Sequence, residues 1–295
     1  MSEAPGAPAA PRCVACGSPL VAHLDAWLLR CPQCELRVSR LGAEPVTAHT
    51  PGAWDDHNAA ALAGLRAATA TRLLDEIAAL RPLAQTRLLD VGCGPGWFLA
   101  AAAPRCAAVA GLEPDAAMAA RVCATGLAVR AGRFPEDAPR GPFDAISFND
   151  VFEHLPAPEA ALAGLAGLLS EDGLVVLSVP SRQGFFYRCA ERLACLRIGA
   201  PLERMWQRGF VSPHLFYYEP ATLDALFARH GYVCVRGYDA PSLVRAGLWA
   251  RITEGQRLAL PLAAVIYLGC LLLLPILHRL PADIAVRIYA RADAR

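Results

Sequence analysis

The stretch Arg87-Leu-Leu-Asp-Val-Gly-Cys-Gly-Pro-Gly96 limits what this chain can fold into more than any other. An apolar run of strand length enters a turn with glycine at 92, 94 and 96, and a helical pattern resumes at Trp97. Glycine lets a backbone turn tightly and approach a ligand with no Cβ in the way. Strand, glycine turn and helix in that order open an α/β fold built on a parallel sheet. The spacing is G-x-G-x-G, not the G-x-G-x-x-G of dinucleotide sites. Just ahead of the turn stands Asp90, which would repel a pyrophosphate and attract a cationic amino-acid group. A second apolar strand, 107–112, leads to Glu113, about twenty residues past the turn, where a carboxylate can grip two ribose hydroxyls.

Composition narrows the classes further. Of 295 residues, 55% are hydrophobic and 19% charged, against about 25% charged in ordinary soluble domains. So much apolar surface offsets chain entropy and excludes disorder as the main state. The 28 basic side chains, all arginine, face 27 acids for a net charge of +1, which gives nucleic-acid binding no electrostatic support. A mean hydropathy of +0.32 is high for a soluble chain, so the apolar excess has to sit somewhere. Residues 1–12 are rich in Ala, Pro and Gly, lack the apolar core of a signal peptide, and read as a flexible tail. Without an export signal the 11 cysteines belong to the reducing cytoplasm and not to a disulfide framework.

Four of those cysteines are spaced for a metal. Cys13, Cys16, Cys31 and Cys34 form C-x2-C-x14-C-x2-C, in which each pair puts two thiolates on one side of a tight turn. Gly17 and Pro32 suit those turns, and Val21 to Arg30 suits a short hairpin arm. Four sulfur ligands leave no open position, so the expectation over 13–40 is a small ribbon closed by structural zinc.

Beyond it, 54–83 repeats Leu62, Leu65, Leu73, Leu74, Ile77 and Leu80 at helical spacing. Apolar strands are expected at 143–148, 174–179, 231–238 and 283–291, with helices at 157–169 and 219–229. The run Leu89-Asp90-Val91-Gly92-Cys93-Gly94-Pro95-Gly96 resembles the first motif of the class I S-adenosylmethionine-dependent methyltransferases, and the order of strands and helices agrees. The resemblance implies a Rossmann-like, seven-stranded and mostly parallel sheet with the last strand antiparallel, over a domain of 53–295. It implies S-adenosylmethionine as cofactor, with Asp90, Gly92 and Gly94 at its methionine end and Glu113 at the ribose. Gly132 and Arg133 fall on the adenine side, where the family more often has a small polar or acidic residue than an arginine. Asn149 falls near the sulfonium and the acceptor.

Methyl transfer asks the protein for alignment, exclusion of water and, for a hydroxyl acceptor, a base. His214 is the first candidate base, on a loop that covers the acceptor pocket in related enzymes; its plain alternative is a helix cap. His154 is the second. Asp150, Glu153 and His154, at i, i+3 and i+4, would share a helical face able to hold a divalent ion, or would serve local capping and packing. That run resembles the E-x-x-E-H of the ubiquinone-biosynthesis O-methyltransferases. Phe185, Phe186, Tyr187 and Trp206 are candidates for a hydrophobic pocket wall or for the core.

The apolar excess lies between the sixth and seventh expected strands, in an insertion over 241–280. Residues 242–256 read as an amphipathic helix bearing arginines, and Leu258 to Leu277 then runs 20 residues without a charge. Both flanking strands meet it at the same sheet edge, so one complete crossing would strand the seventh on the wrong side of a membrane. The segment is therefore expected to lie in the interface or to dip and return, with breaks at Pro261, Gly269 and Pro275. A buried helix or a dimer contact is the alternative. Together these readings describe a peripheral enzyme on the inner face of the cytoplasmic membrane that O-methylates a small or lipid-like acceptor. The alternatives are a soluble sugar, a small acid, a protein or RNA partner held by the ribbon, or a non-catalytic scaffold that binds the cofactor. The oligomeric state stays open.

Overall fold

The apolar segments at 87–91, 107–112, 143–148 and 174–179 carry too little polar surface to face water on either side, which is the signature of strands interior to a parallel sheet. In the computed structural model, which describes residues 11–42, 56–245, 247–256 and 259–294, they take that place. Side chains are described over the same spans except at 56–65, 251, 254–256 and 294. Most of the expected tail, the start of the 53–295 domain, Arg257 and Leu258 lie outside the described residues.

The chain begins with the strands β1 (Val21–Ala22), β2 (Leu28–Arg30) and β3 (Arg37–Ser39), followed by helix α1 (Asp56–Ala78). The main domain then runs β4 (Arg87–Val91), α2 (Trp97–Ala102), β5 (Ala108–Glu113), α3 (Ala116–Cys123), β6 (Val129–Ala131) and β7 (Phe143–Asn149). After these come α4 (Pro158–Leu165), β8 (Leu169–Pro180), α5 (Phe185–Cys195), α6 (Ala200–Met205), β9 (Phe216–Tyr217), α7 (Pro220–Ala228) and β10 (Tyr232–Ala240). The insertion supplies α8 (Leu248–Gln256) and α9 (Leu260–Leu277), and β11 (Ile284–Arg291) returns to the sheet.

The large sheet has seven strands in the order β10-β11-β8-β7-β4-β5-β6. The pairs from β8 through β7, β4 and β5 to β6 are parallel, whereas β11 runs antiparallel to both β8 and β10. This is the mostly parallel sheet with an antiparallel last strand that the motif order implied; the short β6 fills the third place, which no apolar run marked. One face packs Leu73, Leu74 and Ile77 of α1 and Leu99 of α2 on Leu88, Val176 and Ile288. The other packs Leu162 and Leu165 of α4 and Leu223, Leu226 and Phe227 of α7 on Leu89, Phe148 and Tyr289.

The ribbon is not a separate bead. A second sheet has the order β1-β2-β3-β9, and its last strand comes from the main domain. Cys13, Ala15, Leu20, Leu29, Cys31 and Leu36 belong to the same core as Phe152, Tyr218 and Phe227.

In the insertion, Leu248 and Ile252 of α8 bury with Ala263 and Leu274 of α9 in a small cluster of their own. No break forms at the expected places. Pro261 occupies the first turn of α9, where its missing N–H costs nothing, and Pro275 falls near the end. The result is one 18-residue helix, about 27 Å long at 1.5 Å per residue. Its outer surface is bare, with Leu260, Val265 and Leu272 68%, 67% and 78% exposed.

Because β11 fills the gap between β10 and β8, its inward side chains hold both neighbours. Replacing the fully buried Ile288 with Ala should cost about 2–5 kcal/mol in denaturant unfolding. A loss under about 1 kcal/mol would show that the strand does not carry this packing.

Candidate active site

All the strands that carry expected cofactor residues end at one edge of the sheet, so their ends converge. Asp90 closes toward that edge on β4, between β5 and β7. Its side chain is 2% exposed and accepts hydrogen bonds from Ser147 Oγ at 2.7 Å and Asn149 Nδ2 at 3.0 Å. Burial is the main cause that lifts its carboxyl from 3.8 to about 7, against the pull of those two donors. A cation placed beside it would restore its charge.

The glycine turn next to it is shaped from both sides. Gly92 has φ +66°, and a Cβ there would meet Val151 Cγ2 at 2.6 Å. Gly94 has φ +50° and nothing within 4 Å of where a Cβ would stand, so its backbone faces open space. Its N–H donates to Glu113 Oε2 at 2.8 Å, while Glu113 Oε1 accepts from Asp115 N at 3.0 Å. Glu113 is thus tied to the turn it faces, and burial raises its carboxyl above the ordinary range. Gly132 N donates to the Glu113 carbonyl at 3.0 Å. Arg133 is exposed, with its own N–H held by Asp137 Oδ2 at 2.9 Å.

A cleft opens over this turn, lined by Asp90, Gly92, Gly94, Asn149, Asp150 and Ser178 and roofed by Arg66, Thr69, Ala70 and Leu73 of α1. Residues 66, 69, 70 and 73 recur at helical spacing, so one face of α1 covers the site. Arg66 pairs with Asp150 at the rim. An acid for an ammonium group, a second acid at the next strand end and a bare glycine backbone between them fit S-adenosylmethionine.

The two expected histidines do not line that cleft. They lie behind it with Glu153, and the ligand atoms of the three groups fall within 4.8 Å of one another. His154 Nε2 is 3.9 Å and His214 Nε2 4.0 Å from Glu153 Oε1. Glu153 is fully buried, neither of its carboxylate oxygens has a hydrogen-bond partner among the described residues, and burial pushes its carboxyl well above the usual range. Burial, with the neighbouring His154, depresses His214 to about 3, so its imidazole is neutral. Gln207 Nε2 lies 3.0 Å from His214 Nε2, and His154 Nδ1 lies 2.9 Å from the Pro213 carbonyl. The helical face expected for Asp150, Glu153 and His154 does not form. Asp150 sits at φ +53° and only Phe152–His154 makes a single 3-10 turn. Asp150 therefore turns to Arg66 while Glu153 points inward. Tyr187 and Trp206, expected as pocket wall or core, are core: with Leu28 and Tyr217 they pack beneath the ribbon.

At the ribbon, Cys13 Sγ is 3.4 Å from Cys34 Sγ and Cys16 Sγ 3.4 Å from Cys31 Sγ, all four within 4.8 Å. Four sulfurs at about 2.3 Å from a tetrahedral zinc stand about 3.8 Å apart. The cluster fits that ion.

Comparison with known proteins gives the family. The family model described as a methyltransferase domain matches residues 62–236, over half of the chain, and the chain belongs to that family. A ubiquinone biosynthesis O-methyltransferase from Xylella fastidiosa is 33% identical over 143 residues, which are 46% of this chain and 57% of the relative. A second, from Xanthomonas campestris, is 33% identical over 37% of this chain and 49% of its own. The chain spans about half the length of the curated relatives it matches. Among solved structures, the magnesium protoporphyrin IX methyltransferase of Synechocystis, with bound SAH, superposes with a TM-score of 0.52 at 13% identity, over 82% of this chain and 90% of that one. At that identity the likeness shows the fold.

Arg66 and Ser147 were missed by sequence reasoning. The signal for Arg66 was its helical spacing from Leu73, while Ser147 is one small hydroxyl residue within the otherwise apolar run 145–148 of β7.

The state of Asp90 can be read by titration. Its raised value means the folded protein gains most from the neutral acid: that stabilisation is full below 3.8 and is lost as pH rises through about 7. Binding of S-adenosylhomocysteine, whose amino group is cationic, runs the opposite way. Its affinity should fall by about tenfold per pH unit well below pH 7, and Asp90→Asn should flatten the profile and weaken binding at neutral pH. A flat wild-type profile in calorimetry would refute the pairing.

Proposed function

We propose that this chain transfers the methyl group of S-adenosylmethionine to an oxygen of a hydrophobic acceptor taken from the inner face of the cytoplasmic membrane. The observation that carries the reading is the place of α9. It is 18 residues long, has a mean hydropathy of 2.5 and is 11% buried. The strands on either side, β10 and β11, meet the insertion at the sheet edge where Asp90 and Glu113 converge. The cleft and the bare apolar helix therefore open from the same side of the molecule. The names of the relatives supply the oxygen.

The base of the insertion is fixed. Ser242 Oγ donates to Asp283 Oδ2 at 3.0 Å, and His278 Nε2 lies 3.0 Å from the Leu243 carbonyl. A helix entering and leaving at one edge lies along a bilayer surface more readily than it crosses, with Arg245 and Arg279 left among headgroups. The cofactor, when bound, supplies a methyl group on a sulfonium that leaves as a neutral thioether. The chain's own part is alignment. Asp90 and Asn149 hold the amino-acid end, Glu113 the ribose, and α1 excludes water from above. His214, neutral in the buried group it forms with Glu153 and His154, is the candidate base for the acceptor's proton. Zinc on Cys13, Cys16, Cys31 and Cys34 completes the ribbon.

Two measurements test this. Protein incubated with methyl-labelled S-adenosylmethionine and membranes from its own source should label the organic extract. Leu268→Glu with Leu272→Glu should abolish both that label and flotation with anionic liposomes, and leave S-adenosylhomocysteine affinity within about twofold. Label confined to the aqueous phase overturns the lipid acceptor; unchanged flotation, or a dimer that the double variant dissolves, overturns membrane docking. Separately, His214→Ala should lower organic-phase label by about 100-fold at unchanged cofactor affinity, and undiminished turnover would remove His214 as the base.

A further inference from the structure

The ribbon and the strand that follows His214 are one piece of structure. β3 pairs antiparallel with β9, Arg37 opposite Tyr217 and Val38 opposite Phe216. Ser39 N donates to the Leu215 carbonyl at 2.8 Å and Ser39 Oγ to the His214 carbonyl at 2.9 Å. From the far side, Thr222 Oγ1 donates to the Cys34 carbonyl at 3.0 Å. Arg229 Nη1 donates to the carbonyls of Val14 and Ala15, inside the first thiol turn, at 2.9 and 3.0 Å. Below the sheet, the buried Arg37 donates from Nε to Glu191 Oε1 of α5 at 2.9 Å, and His23 Nε2 reaches the same oxygen at 3.0 Å. The next link leads to the active site, for Leu215 N donates to the Glu153 carbonyl at 2.9 Å.

The ribbon cannot supply the stiffness of this arrangement by itself. Its own strands are two and three residues long, and a fold of that size is held by its metal, whose binding energy is folding energy. Nor is β3 an edge open to a partner, since β9 occupies it. We infer that zinc on the four cysteines fixes the segment 213–218 in place, so that the ribbon is an internal brace for the buried Glu153–His154–His214 group and not a docking module for another macromolecule. The inference rests on the proposed methyltransferase reading for what that group does, and on the observed pairing for how it is held.

Hydrogen exchange on the full chain, followed by mass spectrometry, tests the brace without an acceptor. Stripping zinc with a chelator should speed exchange in 213–218 by at least about tenfold. Exchange in 87–91 and 174–179 should stay unchanged, S-adenosylhomocysteine affinity should stay within about twofold, and added zinc should restore protection. Ser39→Pro removes both donors to the His214–Leu215 carbonyls while leaving the cysteines intact; it should retain one zinc per chain and still loosen 213–218. The inference is overturned if 213–218 keeps its protection after zinc leaves, if protection is lost across the whole sheet, or if zinc-loaded Ser39→Pro exchanges like the wild type. Failure of the zinc-loaded protein to bind S-adenosylhomocysteine counts against the methyltransferase reading alone, because the exchange result stands apart from it.

Discussion

The parallel pairing of β4 between β5 and β7 is the constraint on which the rest depends. Parallel strands in register finish together, so Asp90, Glu113 and Asn149, scattered over about sixty residues of chain, meet at one edge. Helices must then return each strand across the sheet, which covers both faces and leaves that edge as the concave place for a ligand. The glycine turn is the price of this geometry, since the chain must leave β4 and begin α2 without a side chain filling the cradle.

The two buried acids beside the cleft show how environment divides like groups. Asp90 has two donors and an opening toward the ligand, so its carboxyl rests near neutrality and changes charge cheaply. Glu153 has no donor on either oxygen among the described residues, so it is held as the neutral acid. One is suited to meet a cation. The other lies 3.9 and 4.0 Å from the imidazoles of His154 and His214, beyond hydrogen-bond reach.

What was legible in the sequence was local. The turn at 92–96 needs glycine for steric reasons confined to a few residues, and the thiol spacing of 13–34 suits one ion's geometry. Apolar runs gave the long strands, but β6, three residues with little burial, left no such run. The face drawn through Asp150, Glu153 and His154 presumed a regular helix, and a left-handed residue at 150 parted the three. Arg66 and Ser147 enter the site only through tertiary packing. The β3–β9 pairing joins residues 37–38 to 216–217, a separation over which no periodicity speaks.

The position of β11 bears on how the molecule is made. Every other strand of the large sheet precedes it in the chain, yet it lies second from the rim, between β10 and β8. During synthesis, β8 therefore waits with one side unpaired and β10 without any partner until 284–291 emerge. In that interval α9 has already left the ribosome with its apolar surface bare. The nascent chain thus presents open strand edges and a greasy helix together, the combination most prone to aggregate. Sheet closure waits for β11, and a chain halted anywhere between Ala240 and Ile284 has an open gap through the middle of its fold.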